Sequence, residues 1–102
     1  MEEISFEEAK PLLEKGKRLV WLGVEDKSYI AELLGIDESK ILQLSPQEIF
    51  YMHPEKAKEL EDHPFICYHG NTSRAIGKIL ESRGVNIKSI KGGITGIIGR
   101  EL

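Results

Sequence analysis

Apolar positions along the chain follow two alternating rhythms. Spaced three or four apart they mark amphipathic helices, and in short continuous runs they mark buried strands. Phe6, Ala9, Leu12 and Leu13 share one face of a helix expected over residues 5–15. Ser5 and Glu8 open it at capping-box spacing and Gly16 ends it. Pro11 interrupts the pattern, so a kinked or short helix is expected. Leu19-Val20-Trp21-Leu22 reads as a buried strand, with Trp21 in the core. Asp26 caps a second helix whose apolar positions are Tyr29, Ile30, Leu33 and Leu34, stopped by Gly35. A short strand is expected over residues 40–44. Ser45-Pro46-Gln47-Glu48 then combines a cap residue, proline in the first turn and an acid at the third position, so a short helix follows.

Breaks at His53-Pro54 and His63-Pro64 frame a charged helix over residues 54–61 and place both histidines toward solvent. Phe65-Ile66-Cys67 reads as a strand. A polar loop leads into a helix over residues 73–83 with Ala75, Ile76, Ile79 and Leu80 on its inner face. Gly84 stops that helix, and residues 85–90 alternate as a half-buried strand. Gly92-Gly93 forms a turn before a last short helix over 94–99, weakened by Gly96 and Gly99. Strands separated by helices in this way give an α/β domain with a mostly parallel sheet, and at 102 residues one domain spanning 1–102 is expected.

Composition narrows the class. With 40% hydrophobic and 30% charged residues the chain has enough apolar surface to form a core, which argues against disorder. The acidic start Met1-Glu2-Glu3 is followed by no apolar stretch of signal-peptide type, and no run approaches a membrane span. A cytoplasmic location is expected, without membrane contact. The net charge of -3 argues against nucleic acid as a partner. That charge is unevenly spread: residues 1–66 sum to -7 and residues 67–102 to +4. A basic C-terminal third in an acidic chain suits a small anion, although solvated charged faces give the same count. The scarcity of Asn and Gln beside abundant Glu and Lys hints at a thermophilic source.

The candidate chemistry lies where that basic segment begins. Cys67 is the only cysteine, so neither an internal disulfide nor a multi-cysteine zinc cage can form. The histidines lack metal-pair spacing, and no metal or other cofactor is expected. An isolated cysteine after an apolar run is most often inert core. Here Gly70 permits a sharp turn, and Asn71, Thr72 and Ser73 are local hydrogen-bonders and helix-cap residues. Several N–H groups and the positive end of a helix therefore converge on the thiol. Such a nest favours a thiolate, a persulfide or a bound anion. His69 reads as a base, part of the cradle or a plain surface histidine; Arg74 and Lys78 either attract the anion or solubilise the helix.

Cys67-Tyr68-His69-Gly70-Asn71-Thr72-Ser73, the following helix, and Ser89-Ile90-Lys91-Gly92-Gly93 together resemble the C-terminal half of single-domain rhodaneses. The resemblance spans roughly residues 62–100 and extends to the first half only in layout. It implies a five-stranded, mostly parallel sheet with helices on both faces. It also implies a thiosulfate sulfurtransferase that moves a sulfane sulfur to cyanide or a thiol through a persulfide on Cys67. Tyr68, His69, Gly70, Asn71, Thr72 and Ser73 would then hold a small anionic sulfur donor, and Arg74, by its charge and position, is expected beside it. A thiol or a protein would accept the sulfur. Where the family usually carries Asp-Val-Arg and Gly-His-Ile-Pro-Gly-Ala signatures, this chain has Trp21-Leu22-Gly23-Val24-Glu25-Asp26 and Leu34-Gly35-Ile36-Asp37. A non-enzymatic sulfur carrier or binding module is the alternative. A cysteine phosphatase or arsenate reductase ranks below it, because position 73 is serine and Arg74 comes one residue late for an anion-clamping arginine.

Overall fold

The continuous apolar runs become the middle of one sheet. A computed structural model describes residues 1–102. Strands β1 (Glu2–Ile4), β2 (Leu19–Trp21), β3 (Ile41–Gln43), β4 (Pro64–Ile66) and β5 (Lys88–Ile90) lie in the order β1-β5-β4-β2-β3. Every neighbouring pair is parallel. Helices α1 (Phe6–Glu14), α2 (Lys27–Leu34), α3 (Pro46–Phe50), α4 (Pro54–Ala57), α5 (Asn71–Ser82) and α6 (Gly93–Ile98) supply the rest, with single 3-10 turns at Glu38–Lys40 and Lys58–Leu60. No helix is long and apolar enough to cross a membrane.

A parallel sheet covered on both faces needs apolar residues on both sides of each strand. Successive residues of β2 obey this rule. Leu19 and Trp21 join a core with α1, α2 and α6, while Val20 and Leu22 join one with α3, α4 and α5. The strand leading to the cysteine divides likewise: Ile66 faces the first core, Phe65 and Cys67 the second. Cys67 therefore leaves the carboxyl end of β4, a central strand, on the side where α5 begins. In open parallel sheets that edge is where ligands bind.

Local signals set the helix ends. Ser5 accepts from the Glu8 N–H at 3.0 Å while Glu8 accepts from the Ser5 N–H at 2.9 Å, and Ser45 and Glu48 repeat the reciprocal box. Asp26 and Asp37 accept from the N–H groups of Ser28 and Ser39 at 2.8 and 2.9 Å. These bonds hold the Glu8, Asp26 and Asp37 carboxyls below their ordinary values of 4.5, 3.8 and 3.8, the backbone donors at Ser5, Ser28 and Ser39 being the main cause. A carboxyl lowered in the fold contributes stability above its ordinary pKa and loses it as pH falls through the folded value. These caps are accordingly expected to contribute a decline of the urea midpoint as pH falls below about 5. A midpoint that rises on acidification would contradict these caps.

Several expectations from the sequence are corrected. Pro11 does not end α1, which runs unbroken over Phe6–Glu14. Glu2–Ile4 forms a fifth strand that no apolar run announced, paired along β5. Of residues 85–90 only the last three pair as a strand, and α5 starts two residues before position 73. Cys67 stands one residue beyond its strand. Tyr29 and Ala75 are exposed rather than inward. The inner face of α5 is instead Ser73, Ile76, Gly77 and Leu80. His63 is half-buried, because its ring folds back onto the Glu61 carbonyl, 3.1 Å from Nδ1.

Candidate active site

Three loops at the carboxyl edge of the sheet meet around one sulfur. Cys67 is only 2% exposed, so the thiol is almost wholly enclosed. Gly70 turns the chain at φ +94° and becomes the N-cap of α5. That turn directs the Gly70 N–H onto Sγ at 3.1 Å, and one helical turn later the Ser73 N–H reaches it at 3.3 Å. Asn71 and Thr72 begin the helix, so their N–H groups have no intrahelical acceptor and stand at its positive end. Backbone donors around a sulfur at a helix start stabilise negative charge there.

Beneath the sulfur lies a pair of buried hydroxyls. Ser73 Oγ is 3.5 Å from Sγ, 3.3 Å from the Gly70 carbonyl and 2.6 Å from Ser89 Oγ. Both serines are essentially inaccessible. With a thiol, S–H donates to Ser73 Oγ while Ser73 donates to the Gly70 carbonyl. With a thiolate, a rotation of the Ser73 hydroxyl turns its hydrogen to Sγ while Ser89 continues to donate to Ser73. The pair thus serves both states of the sulfur without leaving a buried donor unmatched. Ser89 was missed from the chemistry of the sequence, although a signal existed: Val85, Ile87 and Ser89 share one alternating face, and all three are buried. A polar residue at a buried position calls for a partner. Ser89→Ala is expected to destabilise the fold by about 1 kcal/mol in chemical denaturation, through loss of the buried hydrogen bond to Ser73. An unchanged midpoint would remove Ser89 from the site.

The Gly92-Gly93 turn closes the loop from the other side. Gly93, at φ +62°, packs so tightly on the Cys67–Tyr68 peptide that a Cβ there would lie 2.5 Å from the Cys67 carbonyl oxygen. The N–H groups of Ile94 and Thr95 donate to the Cys67 and Tyr68 carbonyls at 2.9 and 3.0 Å. Thr95 Oγ1 also donates to the Tyr68 carbonyl at 3.0 Å, which leaves it to accept from His69 Nδ1 at 2.9 Å. His69 is exposed and its Nε2 lies 3.6 Å from the Glu101 carboxylate. Helix α6 thus fixes the backbone that carries the cysteine.

The remaining residues singled out from the sequence divide between the cradle and its supports. Gly70 and Ser73 touch the sulfur, and Asn71 and Thr72 stand in the first turn of α5. Tyr68 turns its side chain toward the loop after β2. Its hydroxyl donates to Glu25 and accepts from the Val24 N–H at 3.0 Å, while its ring meets Trp21 edge-on at 5.1 Å. Burial, then the bond to Glu25, raises the phenol pKa above its ordinary value of 10.0, which keeps the donor protonated. The divergent segment Gly23–Glu25 is itself held in place. Gln43 donates to the carbonyls of Gly23 and Glu25 at 3.1 and 2.7 Å, and the Trp21 indole donates to that of Glu25 at 2.9 Å. Arg74 is exposed, donating to Asn71 Oδ1 at 2.6 Å, with the Glu3 carboxylate 3.8 Å away.

A parallel five-stranded sheet carries a cysteine loop between a central strand and a helix start. Comparison with solved structures shows that the chain has the rhodanese fold. It is similar to a rhodanese-related protein from Thermoplasma volcanium, with 22% identity, 97% of this chain and 92% of that one covered, and a TM-score of 0.69. A rhodanese homolog from the extremely thermophilic bacterium Thermus thermophilus shares 21% identity over 91% of this chain and 96% of its own, with a TM-score of 0.59. An NAD-dependent persulfide reductase from A. fulgidus shares 19% over 92% of this chain, which corresponds to 15% of that enzyme, with a TM-score of 0.65. No protein-family model and no curated protein matches the chain.

Proposed function

We propose that the protein is a sulfurtransferase that carries a sulfane sulfur as a persulfide on Cys67, taken from thiosulfate or a similar small anionic donor. The observation carrying this reading is the cradle itself, two N–H donors on Sγ at the start of a twelve-residue helix. The Cys67 thiolate attacks the outer sulfur of thiosulfate. A new sulfur–sulfur bond forms on Sγ as the bond within thiosulfate breaks, and its electron pair leaves with sulfite. The terminal persulfide sulfur then bears the negative charge, which the first-turn N–H groups of Asn71 and Thr72 and the helix dipole stabilise. Cyanide or a thiolate attacks that sulfur, and the electron pair of the broken bond returns to Sγ.

Neither cavity in the protein is lined by Cys67 or its loop. Incubation with thiosulfate and cyanide is expected to release thiocyanate and sulfite in equal amounts over many turnovers. The divergent segment after β2 favours one second reading, a carrier that loads sulfur and passes it to a partner without efficient turnover. Loading without thiocyanate release would select it. Absence of loading would end both readings.

A further inference from the structure

The crossover between β3 and β4 is made of short pieces. The four-residue α4 and a single 3-10 turn cover the edge strand where other crossovers supply a longer helix. The sheet face under them is therefore incompletely closed. Leu42, Leu44 and Met52 pack against the second core yet remain half-buried, and with Leu60 they floor a cavity of about 290 Å³. Arg18, Lys56 and His63 stand around it. Arg18 and His63 precede β2 and β4, so this opening belongs to the amino-terminal side of those strands. Cys67 lies four residues beyond His63, roughly 13 Å along an extended chain.

The charges around the cavity are unbalanced. Its one carboxylate, Glu59, pairs with Lys56 at 3.5 Å. Arg18 takes part in no ion pair. The neighbouring Lys17 is occupied, donating to the Glu61 carbonyl at 3.1 Å. The same carbonyl only accepts, so His63 Nδ1 carries the hydrogen toward it and Nε2 is the ring's open nitrogen. Burial, with help from Lys17 and Arg18, holds His63 below its ordinary 6.5 despite the Glu61 bond and Asp62. At neutral pH the uncompensated charge is thus that of Arg18. An apolar floor beside an unpaired guanidinium is complementary to a molecule with an apolar body and one anionic end. The volume lies just below the range for small-molecule sites, about 300–1,000 Å³, which limits the ligand to a small one.

We propose that this cavity is a second ligand site, independent of Cys67, that binds a small organic anion with an apolar tail, such as a medium-chain carboxylate, with Arg18 as its charge partner. The chain has two methionines, Met1 and Met52, and Met52 alone lines the cavity. Methyl-13C-methionine protein titrated with octanoate therefore reports occupancy directly. The Met52 methyl is expected to shift saturably while Met1 stays fixed, and octylammonium is expected to give no saturable shift. Arg18→Gln, an exposed change that leaves the core intact, is expected to weaken octanoate about five- to tenfold. Cys67→Ser protein is expected to bind octanoate as the wild type does, which separates this site from sulfur transfer. A Met52 methyl unmoved by octanoate, equal binding of octylammonium, or undiminished affinity in Arg18→Gln would overturn the proposal.

Discussion

Cys67→Ser protein is expected to fold normally and to lose thiosulfate-dependent thiocyanate formation by at least about a thousandfold. The stability half of this expectation follows from the cradle. A serine hydroxyl at position 67 still meets the N–H groups of Gly70 and Ser73 and the hydroxyl of Ser73, so the buried oxygen finds partners. The cost is limited to looser contact, about 1 kcal/mol, because a C–O bond is shorter than a C–S bond. The activity half follows from electronic structure. A serine hydroxyl in this cradle has no strong base beside it, forms no persulfide, and cannot store sulfur between donor and acceptor. Thiocyanate formation at the wild-type rate in this variant would remove Cys67 from the reaction.

Gly93→Ala is expected to have the second-largest effect, and chiefly on the fold around the loop. Alanine at φ +62° costs about 1–2 kcal/mol on conformational grounds alone. Its Cβ would also press on the Cys67 carbonyl oxygen and on the carbonyl of Tyr68, at 2.5 and 2.6 Å. Both clashing groups are backbone, so neither can rotate away. The Cys67–Tyr68 peptide must shift, which loosens the Ile94 and Thr95 hydrogen bonds that anchor it. A total loss of about 2–4 kcal/mol is expected in chemical denaturation. In the folded fraction, persulfide formation is expected to slow by about a hundredfold, since displacement of a reacting group by about 1 Å has that effect. Wild-type stability in Gly93→Ala would show that the turn does not carry the loop.

How much of this was legible in the sequence depends on whether a signal was local. Runs such as Leu19–Leu22 and Phe65–Cys67 announced the central strands because both faces of a parallel sheet are apolar. β1 escaped notice because only Ile4 of its three residues is buried, while Glu2 and Glu3 are exposed. Its Glu2 instead pairs with Lys88 across the strand at 2.9 Å, which no window of sequence displays. The cradle was readable from Gly70 and the cap-type residues after it, since a turn and a helix start are local events. The supports were not. Ser89, Thr95 and the Glu25 loop meet the site from 16, 27 and 43 residues away from their partners. At Arg74, beside the loop, a distant neighbour likewise went unseen: the Glu3 carboxylate, on strand β1, lies 3.8 Å away.

The central claim is that the Cys67 cradle holds a persulfide, and intact mass of the whole protein tests it most directly. After incubation with thiosulfate near neutral pH, the wild-type protein is expected to gain the mass of one sulfur atom, to lose it with dithiothreitol, and to gain nothing as Cys67→Ser. A wild-type mass that stays unchanged with thiosulfate and with other sulfane donors would contradict it.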